Sequence, residues 1–191
     1  MRPRAVGLTG PSASGKSTLA EAVKAAHGDA VLVQQDWYFR DSSECPPDAN
    51  FCDLEWLHVD ELMRHVVALT NGEFADVPVM DFATFERCGT LRLEPAPLVI
   101  VEGMTILRIS SIDACLDARF YLDTDYATIA ERKRARDIND RHKPIEVVEA
   151  QLKWMAVEYD KDAWLRNRRD VTVLSGAARL EDNVNAIIQR T

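Results

Sequence analysis

Residues 10–18 read GPSASGKST, a complete G-x-x-x-x-G-K-S phosphate-binding loop. A short apolar run at 5–8 precedes this loop, and a segment of strong helix formers at 19–26 follows it. Glycines let backbone amides wrap closely around a phosphate chain, and the N-terminus of the following helix adds partial positive charge. A chance match in a chain of this kind is expected on the order of once in a hundred. The loop therefore predicts a strand–loop–helix unit that binds a nucleoside triphosphate.

The loop also supplies candidate ligands for ATP and Mg²⁺. Lys16 is long enough to reach the terminal phosphates, and the Ser17 hydroxyl can bind Mg²⁺. Contacts to the nucleotide are expected from Gly10, Ser12, Ala13, Ser14, Gly15, Lys16, Ser17 and Thr18. The sequence thus predicts ATP and Mg²⁺ as cofactors.

Composition limits the class of protein. The 191 residues are 47% hydrophobic and 28% charged, which is typical of one compact domain spanning residues 1–191. A net charge of -8 disfavours a nucleic-acid partner, and no apolar run approaches the ~20 residues that cross a bilayer. The four cysteines are scattered and residues 1–4 lead into no signal-peptide core, so we expect reduced thiols and a cytoplasmic location without membrane contact.

Apolar runs alternate with helical patterns along the chain. Strands are predicted at 5–8, 30–33, 97–101, 120–122 and 171–174, and helices at 19–26, 57–70, 125–138, 145–166 and 179–190. Residues 41–52 have the composition of an exposed loop. Continuous apolar strands between helices indicate a parallel sheet covered on both faces. The predicted fold is α/β, a P-loop NTPase three-layer sandwich with a central parallel sheet.

Two carboxylates follow predicted strands, at the edge of a parallel sheet where ligands bind. Asp36 follows the strand at 30–33, where it could accept a proton from an attacking hydroxyl and help hold Mg²⁺. The alternative, that Asp36 only caps a turn, stays open. Glu102 ends the strand at 97–101 and could hold Mg²⁺ opposite Ser17. Its alternative, a surface glutamate, is less favoured because Gly103 leaves room for a site.

A basic run occupies residues 131–143. Such a run is often a solvated helix face with internal ion pairs. Phosphoryl transfer, however, needs positive charge over the migrating group on a segment that excludes water. We therefore expect a mobile basic lid at approximately 131–144.

Five segments together carry a family resemblance: the phosphate loop, QDWY at 35–38, PVMDF at 78–82, VIVEG at 99–103 and RDI at 136–138. In type and order they resemble the uridine kinase branch of the P-loop kinases, which includes nicotinamide riboside kinases and, more distantly, phosphoribulokinase. The resemblance implies that Asp36 activates a ribose 5′-hydroxyl and that Arg136 and Arg141 contact the phosphates. It also implies acceptor contacts from Tyr38, Asp81, Phe82, Arg87, Lys133, Lys143 and Gln151.

The chain departs from this family pattern at several acceptor positions. Met80 and Phe85 stand where uridine kinases usually have Tyr and His, which help to recognise a pyrimidine. These side chains, with Phe82, could instead stack a nicotinamide ring or another flat base. The acid expected to bind the ribose hydroxyls is replaced by Cys52, so Asp53 or Glu55 would have to serve. ATP chemistry is expected to survive these changes, and the acceptor stays open.

Three functions are compatible with these residues. The first is transfer of the γ-phosphate of MgATP to the 5′-hydroxyl of a ribonucleoside, the second a kinase of nicotinamide riboside or another sugar or coenzyme precursor. A different class is a nucleotide-dependent switch or regulatory ATPase, which is disfavoured because the sequence contains no N-K-x-D guanine motif. The expected partner is a small-molecule acceptor, and a homo-oligomer is left open.

Overall fold

A computed structural model describes residues 2–44 and 52–191. Its strands are β1 (Arg4–Thr9), β2 (Ala30–Gln34), β3 (Ala75–Asp81), β4 (Glu86–Leu93), β5 (Leu98–Glu102), β6 (Ala118–Asp123) and β7 (Val171–Ser175). Its helices are α1 (Lys16–His27), α2 (Val59–Thr70), α3 (Ser110–Cys115), α4 (Tyr126–Ala135), α5 (Ile145–Lys161), α6 (Ala163–Arg166) and α7 (Leu180–Ile188). No helix in these two ranges has both the length and the apolar character needed to span a bilayer.

Five of the strands form a parallel sheet in the order β2-β5-β1-β6-β7. The five predicted strands are the members of this sheet, which confirms the α/β fold class. β1 lies at the centre, so the phosphate loop that follows it emerges from the middle of the sheet. β2 and β5, which precede Asp36 and end at Glu102, lie on the same side of β1. The strand order therefore brings the loop and both carboxylates to one edge.

Successive residues of each strand contribute to two cores, one on each face of the sheet. Along β1, Ala5 packs in the cluster that includes α2 and α3, whereas Val6 and Leu8 pack in the cluster that includes α1 and α7. This period-two alternation between two apolar faces is the reason that the strands read as unbroken apolar runs. The result is a sandwich of helices, sheet and helices.

A two-stranded hairpin and a short helix were not predicted. β3 and β4 form an antiparallel hairpin separate from the main sheet, with a register shift between Val79 and Met80. Pro78 interrupts the strand pattern of β3, but it is compatible with a two-stranded ribbon because each strand of the ribbon has a free edge. The short helix α3 was also missed, since six residues carry too little periodicity to be recognised.

Two predicted helices have different bounds in the structure. The helix expected at 125–138 changes at Arg136 into a π-helical turn that continues to Asp140. The helix expected at 145–166 is interrupted at Asp162, a buried residue that separates α5 from α6. Asp162 accepts hydrogen bonds from Arg108, and this contact with a distant segment cannot be read from helical periodicity. Residues 45–51 of the predicted loop at 41–52 lie outside the described residues.

Candidate active site

At two positions the phosphate loop adopts a backbone conformation that glycine allows without strain. Gly10 and Gly15 have φ values of 148° and 103°. A Cβ atom on Gly10 would lie 2.8 Å from the backbone oxygen of Leu122, so β6 leaves no room for a side chain there. Helix α1 begins at Lys16, and its N-terminus therefore faces the loop. The Lys16 ammonium is buried and donates to the Pro11 carbonyl at 3.4 Å.

Ser17 and Glu102 form the second part of the site. The Ser17 hydroxyl donates to Oε1 of Glu102 at 2.9 Å, although the two residues are 85 positions apart. Within residues 2–44 and 52–191, Oε2 of this buried carboxylate has no hydrogen-bond partner. Burial raises the pKa of Glu102, while the neighbouring charge of Lys16 lowers it. A buried carboxylate oxygen without a partner beside a serine hydroxyl fits a divalent cation, which prefers oxygen ligands.

The space left by Gly103 is filled by the side chain of Gln35 and not by a ligand site. A Cβ atom at this position would overlap Gln35, whose side-chain oxygen would lie 2.5 Å away. That oxygen accepts hydrogen bonds from the backbone N–H and the hydroxyl of Thr105, at 2.9 and 3.0 Å. Gln35 begins the short 3₁₀ turn that carries Asp36. The small residue after β5 thus allows the Asp36 turn to dock against the sheet edge.

Two cavities meet at this edge. The first, of about 660 Å³, is lined by residues 12–19 of the phosphate loop and, on its far wall, by Gly176, Ala178, Leu180 and Asn183. The second, of about 470 Å³, lies between the basic segment 131–143, the hairpin tip and α5. Both are bordered by Ser12, Lys16, Asp36, Phe82, Arg136 and Arg141. We name them the nucleotide cavity and the acceptor cavity.

The structure brings together most of the predicted nucleotide residues. Seven of the eight predicted loop residues, the continuous run 12–18, line the nucleotide cavity. Ser12 and Lys16 also line the acceptor cavity. Gly10 does not line either cavity among the described residues; it shapes the loop against β6. Glu102 lies behind Ser17, away from the cavity wall.

The acceptor cavity has aromatic walls and a cationic end. Its aromatic lining consists of Phe39, Trp56, Phe82, Phe85 and Trp154. Lys133, Lys143 and Gln151, for which the resemblance implies acceptor contacts, line the same cavity. The Lys143 ammonium lies 4.8 Å from the centre of the Phe85 ring, and the Arg141 guanidinium lies 5.3 Å from that of Phe82. Burial lowers the pKa of Lys143 to about 8, although Asp137 opposes this effect.

Four predicted acceptor residues do not line the acceptor cavity in the described part of the chain. Tyr38 is fully buried in the core, where its hydroxyl lies 2.8 Å from Nδ1 of His65. Asp81 accepts a hydrogen bond from the Ala83 backbone N–H at 2.8 Å, inside the hairpin turn. Asp53 is exposed, in the turn that leads to Leu54.

Arg87, the fourth of these residues, joins the hairpin to the body of the protein. Its guanidinium lies 2.6 Å from Oε2 of Glu61 on α2, and its backbone N–H donates to Oδ1 of Asp41 at 3.1 Å. The hairpin tip bears Phe82 and Phe85, which line the acceptor cavity. Arg87 therefore affects the cavity wall indirectly, because it holds the hairpin in place.

Cys52 does not supply a polar wall to the acceptor cavity. Its side chain is buried in an apolar cluster with Met104, Ile129 and Met155. Burial raises the pKa of this thiol to about 12, so it stays protonated at neutral pH. Within the described ranges, Asp36 is the one carboxylate that borders the acceptor cavity, and Glu55 is exposed outside it.

Sequence reasoning missed three groups at the site. Trp56 and Trp154 are cavity walls, although isolated tryptophans more often pack in a core. Trp154 lies one helical turn after Gln151, and that spacing was the available signal. Arg132 lines the nucleotide cavity and donates to the Ser14 carbonyl at 3.2 Å. Asp137 is buried among the cations of the basic run at 131–143.

Comparison with known proteins identifies the family. Residues 5–172 match the model of the phosphoribulokinase / uridine kinase family, which is most of the chain. The chain belongs to this family. A uridine kinase from Clostridium perfringens (strain SM101 / Type A) is 35% identical over 154 residues, which cover 77% of this chain and 74% of that protein. Membership makes the chain a phosphotransferase that acts on a hydroxyl group.

Solved structures support the fold. A candidate fructose transport system kinase from Silicibacter sp. TM1040 superposes with a TM-score of 0.72 at 21% identity, covering 91% of this chain and 90% of that one. A possible uridine kinase from Bacillus stearothermophilus gives a TM-score of 0.65 at 18% identity, covering 91% and 89%. These similarities show a shared P-loop kinase architecture.

Proposed function

We propose that this phosphotransferase moves the γ-phosphoryl group of ATP to the 5′-hydroxyl of a ribonucleoside, with uridine and cytidine as the first acceptors to test. The observation that supports this most directly is the position of Asp36, which borders both cavities. A carboxylate between a phosphate site and an aromatic cavity is suited to activate a hydroxyl on a flat, ring-bearing acceptor. The uridine kinase relative supports the choice of nucleoside.

In the proposed reaction, Asp36 accepts the proton of the 5′-hydroxyl as that oxygen attacks the γ-phosphorus. The bond between the γ-phosphorus and the β,γ-bridging oxygen breaks, and ADP leaves with the electron pair. Lys16, Arg136 and Arg141 neutralise the charge on the transferred group, since each borders both cavities. In this proposal residues 131–144 act as a mobile lid that excludes water.

Ser17, Glu102 and Asp36 are the residues that would hold Mg²⁺. The unpartnered Oε2 of Glu102 and its contact with Ser17 support this assignment. When bound, Mg²⁺ supplies charge neutralisation to the phosphate oxygens. The same proposal places the reaction in nucleoside salvage, in the cytoplasm.

The charge of the acceptor cavity favours a neutral base over the pyridinium of nicotinamide riboside. Lys133, Lys143 and Arg141 line the cavity beside its aromatic walls. A cationic ring packed against Phe82 or Phe85 would lie close to the charges of Arg141 and Lys143. Like charges at such distances repel. A neutral pyrimidine avoids this cost and keeps the stacking.

The experiment is a coupled assay of ADP release with MgATP and a panel of acceptors: uridine, cytidine, adenosine, guanosine, nicotinamide riboside, ribulose 5-phosphate and pantothenate. We expect turnover to depend on a pyrimidine ribonucleoside, with the 5′-monophosphate as product. Stimulation by nicotinamide riboside alone would overturn the charge argument. ATP hydrolysis that no acceptor stimulates would instead favour a regulatory ATPase.

A further inference from the structure

Asp137 lies at the centre of the lid cations and has no role in the reaction as proposed above. Its carboxylate is fully buried and four cationic side chains surround it. Oδ1 lies 2.8 Å from Nε of Arg136 and 3.5 Å from Nη1 of Arg141. Oδ2 lies 2.6 Å from Nζ of Lys133 and 3.9 Å from Nζ of Lys143. Each carboxylate oxygen therefore faces a pair of cations of one type.

The two pairs of cations share the acceptor cavity but differ in their access to the nucleotide cavity. Arg136 and Arg141, the partners of Oδ1, line both the nucleotide cavity and the acceptor cavity. Lys133 and Lys143, the partners of Oδ2, line the acceptor cavity and are not part of the nucleotide cavity wall in the described residues. One carboxylate thus connects the charges that face the phosphates with the charges that face the acceptor.

The backbone around Asp137 strengthens this connection. Its carbonyl accepts a hydrogen bond from the backbone N–H of Lys143 at 2.9 Å. The residue lies in the π-helical turn from Arg136 to Asp140, a conformation that is rare and frequent at functional sites. His142, next to Lys143, has a φ of 52°, which is uncommon for a residue other than glycine. The lid therefore folds around Asp137 through both its side chain and its backbone.

Asp137 is ionised, as a residue that holds cations in place must be. Although burial acts to raise it, hydrogen bonds from Arg136 and Lys133 hold the pKa of Asp137 at about 2. The carboxylate is ionised at neutral pH and can balance one of the four positive charges. Without it, the four cations would repel one another at short range in a partly buried place.

We propose that Asp137 is a positioning residue that couples the two cavities, because it sets the phosphate-facing arginines and the acceptor-facing lysines from a single carboxylate. It contacts neither substrate itself. The acceptor half of this inference rests on the proposed function, whereas the nucleotide half depends only on the kinase family. A ligand whose phosphates attract the arginines weakens their contacts with Asp137. The carboxylate then interacts more strongly with the lysines.

The test compares Asp137→Asn with Asp140→Asn in the full chain. Asp140 lies in the same turn and is exposed, so its variant makes the same change of charge without loss of the buried contacts. Thermal unfolding selects variants that are folded, and calorimetry measures the affinity for a non-hydrolysable ATP analogue with Mg²⁺. We expect Asp137→Asn to lose about tenfold in affinity, as one charge-assisted hydrogen bond would account for. Asp140→Asn should stay near the native value.

A second measurement separates positioning from a general loss of structure. Acylation of Lys143, followed by mass spectrometry over a range of pH, reports the pKa of this ammonium without any substrate. Asp137 raises that pKa, so the midpoint should fall in Asp137→Asn and stay unchanged in Asp140→Asn. Native analogue affinity together with an unchanged Lys143 midpoint in Asp137→Asn would overturn the proposal.

If Asp137→Asn does not fold, Lys143→Gln carries the test, with exposed Lys153→Gln as its control. With Lys143 removed, the Asp137 carboxylate has fewer partners and holds Arg136 and Arg141 more firmly. Analogue affinity should therefore rise severalfold, opposite to the loss expected in Asp137→Asn, although Lys143 does not line the nucleotide cavity in the described residues. Equal affinity of the two lysine variants would overturn the coupling. None of these measurements uses a nucleoside, so they stand even if the acceptor panel finds no pyrimidine kinase.

Discussion

Asp36 is the single side chain on which the proposed chemistry most depends, because it borders both cavities. We expect Asp36→Asn to lower turnover about 10²–10⁴-fold, the usual contribution of a general base. The affinity for a non-hydrolysable ATP analogue should be largely retained, since the phosphate loop is unchanged. Steady-state kinetics and calorimetry measure the two effects. Asp60→Asn, at an exposed position on α2, is the matched control, and native turnover in Asp36→Asn would remove this residue from the mechanism.

The lowered pKa of Lys143 leads us to expect that kcat/KM for the acceptor depends on pH. Burial lowers its pKa to about 8, so the ammonium is charged below this pH and loses its charge as pH rises through it. If that charge contributes to acceptor binding, kcat/KM for the acceptor should decline between about pH 7 and 9. Lys143→Arg stays charged over this range and should abolish the decline. The same alkaline limb in both proteins would assign it to another group.

At the scale of elements, the hairpin β3–β4 is expected to hold the aromatic wall of the acceptor cavity. Arg87 joins this hairpin to α2 through Glu61, near the tip that bears Phe82 and Phe85. We expect Arg87→Met to raise KM for the acceptor by about three- to tenfold, because small displacements of positioning groups are costly. KM for ATP should not change.

Arg92→Met is the control for this hairpin prediction. Arg92 pairs with Asp76 on the exposed part of the same hairpin, away from the tip. Its loss should leave both KM values near native, as expected for an exposed ion pair. Equal effects of the two arginine variants would mean that the hairpin as a whole, and not its anchor to α2, determines acceptor binding.

At the scale of the whole molecule, nucleotide binding should stabilise the fold. A ligand at 100 times its Kd adds about 2.7 kcal/mol to the free energy of unfolding. For a chain of 191 residues this corresponds to a rise in Tm of about 5–10 °C. We expect this rise with a non-hydrolysable ATP analogue and Mg²⁺, and a smaller rise when Mg²⁺ is chelated.

Glu102→Gln tests the magnesium part of that prediction. The amide keeps the size of the side chain and can still accept from Ser17, but it lacks the negative charge that favours a divalent cation. The Tm rise of this variant should therefore depend less on Mg²⁺ than that of the native chain. A native dependence on Mg²⁺ would place the cation elsewhere.

The sequence by itself determined the parts of this protein whose chemistry lies in contiguous residues. The phosphate loop, the five strands of the main sheet, the carboxylate that follows β2 and the carboxylate that ends β5 were all predicted. Each is a local pattern with its own physical requirement. The cations that border the cavities, Lys16, Arg136 and Arg141 among them, also follow from motifs of neighbouring residues.

Only the tertiary structure decided which distant side chains share a wall. Tyr38 stands two residues after Asp36, yet its hydroxyl turns to His65 in the core, while Trp56 and Trp154 come from separate segments to line the acceptor cavity. In the sequence, Asp137 is one acid within a basic run. In the fold, four cationic side chains surround its carboxylate. Local patterns specify backbone conformation, whereas burial and charge pairing depend on packing between segments far apart in the chain.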